Sequence, residues 1–176
     1  MTKPKIGKAQ YARLTKAANE ALERDKQRKI AIEGRKPGPG VMMLVEGTAE
    51  VEPHLFWVGL AWHADDKNLL FCVPADENDL TVGSVDIATK CSSFPITLRC
   101  GFGTWFDADL LKRCGVTGLV HDGVCEEALD IVEKIVEGPA PYDPRRDTED
   151  VDNWHFLVER AVKKLEEVRD GNQEKA

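Results

Sequence analysis

Cys114, His121, Asp122 and Cys125 are the tightest gathering of chemistry-bearing side chains in the sequence. If a helix begins near Asp122, His121 and Cys125 fall about one turn apart, close enough to share a metal ion or a proton. A zinc site there needs two more ligands, which Cys114 with Cys91 or Cys100 could supply. No C-x-x-C pair, the strong signature of structural zinc, occurs among them. The plainer reading carries more weight: Asp122 caps a helix, His121 lies in the loop before it, and Cys125 packs inside as free cysteines commonly do. No metal or other cofactor is expected.

The same residues admit a second chemistry, a cysteine nucleophile with a histidine base. Cys100 or Cys125 would attack and His63 or His121 would take the proton, with Asp122 beside His121. A reactive thiol needs its pKa lowered by a helix N-terminus or a cation. Cys125 is near a helix start, but Glu126 and Glu127 follow it and act in the opposite direction. The His-Asp dipeptide at 121–122 also occurs in metal-dependent phosphohydrolases, and two residues match by chance too often to count.

Two further groups could carry chemistry. Gly101, Gly103 and Thr104 lie between a strand pattern and a helix pattern, where a phosphate-bearing cofactor could rest with Trp105 and Asp107 on its rim. Their order fits neither G-x-x-x-x-G-K-[ST] nor G-x-G-x-x-G, so the expectation is a bend between elements. Asp65, Asp66, Asp76, Glu77 and Asp79 could bind a divalent cation or act as acid and base. Turn chemistry explains them as well, and solvated turns are expected.

The elements that position these residues follow from hydrophobic spacing. Residues 8–32 carry Tyr11, Leu14, Ala18, Ala21 and Leu22 on one helical stripe. The run GRKPGPG (34–40) ends that helix and reads as a linker. From 41 to 102 the period shortens to that of strands: 41–51, 54–62, 69–73, 81–88 and 94–102, with a hairpin turn at 64–68. On the last strand Ile96, Leu98 and Cys100 share one face, Thr97 and Arg99 the other. Three helices follow: a short one capped by Asp107, one from Asp122 with Val124, Ala128, Ile131, Val132 and Ile135 buried, and a final one. The final helix bears Trp154, Leu157, Val158, Ala161, Leu165 and Val168 at 3–4 spacing.

The expected fold is therefore α+β: a mainly antiparallel sheet of about five strands (41–102), covered by an N-terminal helix and three C-terminal helices. Residues 1–36 form a basic helical arm, 41–170 one domain, and 171–176 a frayed tail.

With 176 residues, 42% hydrophobic and 31% charged, the chain can bury a core without crosslinks. An odd set of five cysteines, and an N-terminus without an apolar signal segment, argue against disulfides and for a cytoplasmic protein. No apolar run approaches the roughly 18 residues that cross a bilayer, so no membrane role is expected. Charge is the most telling feature. Residues 1–36 hold eleven Lys and Arg against four Asp and Glu, whereas the remainder holds thirteen against twenty-seven. A basic arm on an acidic body suits docking to a protein partner or to itself. The expected function is thus a non-enzymatic interaction protein. A Cys/His- or metal-dependent hydrolase, and a nucleic-acid accessory protein binding weakly through residues 1–36, are the alternatives.

Overall fold

The computed structural model describes residues 7–78, 82–92, 94–138 and 149–174, and only the backbone of 149–153. Helix α1 (Lys8–Ile32) leads by way of the Gly/Pro linker into strands β1 (Val41–Leu44), β2 (Phe56–Trp62), β3 (Leu69–Asp76), β4 (Asp86–Cys91) and β5 (Phe94–Arg99). A single 3-10 turn (Cys100–Phe102) then precedes β6 (Thr104–Asp107), α2 (Ala108–Leu111), β7 (Gly115–Leu119), α3 (Asp122–Glu137) and α4 (Glu149–Gln173). The α+β expectation holds, with seven strands rather than about five. The two additional strands, β6 and β7, lie past residue 102, and α4 continues through Gly171 to Gln173.

All pairings in the sheet are antiparallel, in the order β4-β5-β3-β2-β1-β7. β3 carries the topology. One edge pairs with β2 throughout, while the other is shared between β5 at Ala75–Asp76 and β6 at Leu69–Cys72. The corner between β5 and β6 is the 3-10 turn. The sheet curls until its two ends meet. The Ser92 N–H, just after β4, donates to the Leu119 carbonyl at the end of β7 (2.7 Å), and the Leu119 N–H donates back to Ser92 Oγ (3.4 Å). Gly118 permits this closure, because a Cβ there would collide with Cys91 Sγ.

Alternating side chains feed two cores, one on each face of the sheet. Val41, Met43, Trp57, Leu70, Cys72 and Phe106 pack with Ala161 and Leu165 of α4. Met42, Val58, Leu60, Val73, Ile96 and Leu98 pack with Cys125 and Ala128 of α3. Burying an aliphatic side chain of this size contributes about 1.5–3 kcal/mol, so these two faces supply most of the driving force for folding. Every residue of the expected α4 stripe, from Trp154 to Val168, belongs to the first core. Helix α1 is different. None of its residues is buried, and it meets the body along its last turns, beside β7. Among the described residues no helix is long and apolar enough to cross a membrane.

Candidate functional site

The structure places the sequence candidates apart. Cys114 is half-buried against the α4-side core, while Cys125 is buried in the α3-side core, its Sγ directed at the Gly59 carbonyl (3.8 Å). His121 is exposed at the N-cap of α3, and Asp122 opens the first turn without capping it. Among the described residues no three His, Cys, Asp or Glu side chains come together as a metal site, so Cys114, His121 and Cys125 form none. His63 is far from these roles: its Nδ1 accepts the Asp65 and Asp66 N–H groups and its ring stands edge-on to Trp105 (5.1 Å).

The thiols are set against reactivity. Burial pushes Cys91 up to about 11 and Cys100 up to about 12, with neighbouring carboxylates adding to the effect. Cys72 is raised by burial, and Cys125 by burial with Asp122 and Glu126 contributing. Such groups stay protonated at neutral pH, where a nucleophile must be thiolate.

Gly103 is needed for packing: a Cβ there would run into the Phe71 ring. Gly101 belongs to the 3-10 turn and Thr104 begins β6, and the helix that follows, α2, has four residues capped by Asp107. Of the turn carboxylates, Asp65 and Asp66 are exposed as expected, and Asp79 lies outside the described residues. Asp76 departs from the expectation. It is the last residue of β3 and is buried, not solvated.

Asp76 belongs to a buried polar cluster that sequence reasoning missed. The Arg99 guanidinium, 2% exposed, donates to Asp76 Oδ2 (3.0 Å) and Asp86 Oδ2 (2.7 Å). The Trp154 indole N–H donates to the same Asp76 Oδ2 (3.1 Å), and Arg99 lies 5.5 Å from the Trp154 ring centroid. Backbone N–H groups of Asn78 and Gly83 satisfy further carboxylate lone pairs. The cluster fixes α4 against the β3–β5 side of the sheet through charge-assisted bonds. The available signal was a lone cation in an apolar strand: a buried Arg requires carboxylate partners.

The feature best placed to meet another molecule is α1. Tyr11, Leu14, Leu22 and Ile30 are 67%, 53%, 62% and 71% exposed. Tyr11, Leu14 and Leu22 continue through Ala18 and Ala21 as one stripe that the described residues leave uncovered. Helices in water gain most of their stability by packing an apolar face. Seven cations and three carboxylates decorate α1. All three carboxylates are engaged within the helix, in Lys16–Glu20 (3.9 Å), Lys26–Glu23 (3.8 Å), Arg28–Asp25 (2.7 Å) and Lys29–Asp25 (2.9 Å).

No family model and no curated protein matches the chain. Among solved structures, a chain of the MazE-MazF complex from Deinococcus radiodurans is similar at a TM-score of 0.45 and 9% identity, over 59% of this chain and 98% of that one.

Proposed function

We propose that this protein is a non-enzymatic binding protein that makes protein–protein contacts through α1, with a second chain, of another protein or of its own kind, covering the helix. The observation that carries this reading is the exposure of Tyr11, Leu14, Leu22 and Ile30, four of the five large apolar side chains of a 25-residue helix, on a body whose sheet faces are packed by α3 and α4. Exposed apolar stripes of this kind are recognised by grooves and partner helices. Electrostatics favour an acidic partner, since α1 keeps four more cations than carboxylates while the body from residue 37 onward is strongly acidic. Nucleic acid suits the helix less well. Its intrahelical ion pairs offset part of the charge that phosphates would need, and the rest of the molecule repels a polyanion. Raised thiol pKa values weigh against the hydrolase reading.

Sedimentation velocity and native mass spectrometry test the proposal on the full chain, on the Leu14→Glu/Leu22→Glu variant, and on a chain beginning at residue 37. Because both leucines are exposed, the variant should keep its stability within about 0.5 kcal/mol while losing the second chain. A full-length protein that runs as a bare monomer, with the same bound species as the variant, would refute it.

A further inference from the structure

We infer that the cleft at the root of α1 binds an extended acidic peptide segment of a partner protein, a step that rests on the protein-binding reading above. Two adjoining hollows meet at Ser92 and Leu119, where the ends of the curled sheet close. One, about 280 Å³, is lined by Arg24, Gln27, Arg28 and Ala31 of α1 together with Ser92 and Leu119. The other, about 460 Å³, continues past Thr89, Lys90, Val120 and His121.

Three properties identify the occupant. First, the described lining residues include Arg24, Lys90 and Arg28, the last shared with Asp25 (2.7 Å), and no Asp or Glu, although the chain as a whole carries a charge of -7. Positive charge is thus concentrated at one cleft of an acidic molecule, which selects carboxylates locally. Second, Ala31, Leu119 and Val120 contribute apolar surface between those cations. A peptide with alternating acidic and apolar side chains meets both features, whereas a phosphate backbone leaves the apolar part unused. Third, among the described residues that line the hollows there is no Phe, Tyr or Trp, and the Phe94 ring beside them is already engaged by the Arg28 guanidinium (5.8 Å).

The cleft is also held in shape. Arg28 is braced by Asp25 (2.7 Å) and lies 5.8 Å from the Phe94 ring centroid, tying α1 to the start of β5. Ser92 sits at φ 56° with both of its bonds to Leu119 made, which fixes the floor where the hollows join. A preformed site of this kind spares the ligand the cost of ordering its receptor.

Fluorescence anisotropy with a labelled twelve-residue peptide of alternating Glu and Leu tests the inference, using the full chain at low salt. The controls are the same peptide with Gln for Glu and a single-stranded DNA dodecamer. The acidic peptide should bind, the Gln peptide should not, and Arg24→Glu/Lys90→Glu should weaken binding at least about tenfold, these side chains facing solvent and the charge being reversed at two positions. Equal binding by that variant or to the Gln peptide, no binding at all, or tighter binding of the DNA would overturn the inference. So would a full-length dimer that Arg24→Glu/Lys90→Glu converts to monomer, since a second copy would then occupy the cleft. Leu14→Glu/Leu22→Glu separates the two proposals: peptide binding should survive it, and assembly through the arm should not.

Discussion

Alkaline pH should unfold this protein sooner than a chain with exposed thiols, and the size of the effect can be worked out. Burial pushes Cys91 up to about 11 and Cys100 up to about 12 in the folded protein, and raises Cys72 as well. In the unfolded chain each returns to about 8.5. A folded-state pKa above the unfolded value means that folding favours the protonated thiol. That contribution is whole below about pH 8.5 and is lost as pH climbs toward the folded values. At pH 9.5 each unfolded thiol gains about 1.4 kcal/mol by ionising while its folded counterpart remains protonated, so the three together cost about 4 kcal/mol. For a chain of this size that is a fall of roughly 8–16 °C in Tm beyond what other groups contribute. Urea unfolding between pH 7.5 and 9.5, with a reductant present to prevent disulfides, measures it. Lys and Tyr titrations are common to all variants, so Cys72→Ala, Cys91→Ala and Cys100→Ala should each remove one thiol's share of the fall, about 1.4 kcal/mol by pH 9.5, even though each is less stable at neutral pH. Identical pH slopes in the wild type and all three variants would refute the burial argument.

Two other changes probe the scaffold. Arg99→Met strands the Asp76 and Asp86 carboxylates in the interior and should cost about 3–5 kcal/mol in chemical denaturation; a loss under about 1 kcal/mol would show that the cluster does not hold α4 in place. Gly59→Ala directs a Cβ into the Gly38 carbonyl and the Leu70 side chain, with an expected cost of about 1–3 kcal/mol; a neutral outcome in thermal unfolding would mean that the linker does not press on β2.

What the sequence revealed depended on the range of the interaction. α1, α4 and the β2–β3 hairpin were legible because periodicity and turn residues are local signals. β6 and β7 were not. TWFD has four residues, and GVTGL contains two glycines beside a helix-like DLLKRC. These segments become strands because β3 and β1 offer edges to pair with, and strand formation depends on such neighbours more than on intrinsic preference. Asp76 was obscured for the same reason. DEND reads as a turn from within, and partners distant in sequence, Arg99 and Trp154, draw its first residue inside. The cysteines gathered around residues 114–125 promised a site that the fold divides between the two faces of one sheet.

That division also explains why α1 is available to a partner. α3 and α4 pack on the two faces of the sheet, and α1 is left without a buried residue. The linker that joins α1 to the body is nevertheless stitched down over residues 38–41. The Gly40 N–H donates to the Gly59 carbonyl (2.9 Å), the Val120 N–H donates to the Gly40 carbonyl (2.9 Å), and Pro39 bridges to Gly59. Gly40, at φ +78°, turns the chain between these bonds, and Gly59 lacks the Cβ that would push Gly38 away. At the helix end, the partly buried Ile32 and Arg28 rest against the body. The arm is therefore held at a set angle, with its apolar stripe and the cationic cleft at its root presented together. Fixing the receptor before binding lowers the entropy lost on association. A flexible tether would sacrifice that gain, so under the proposed binding mode the short glycine–proline segment would serve recognition together with the leucines it positions.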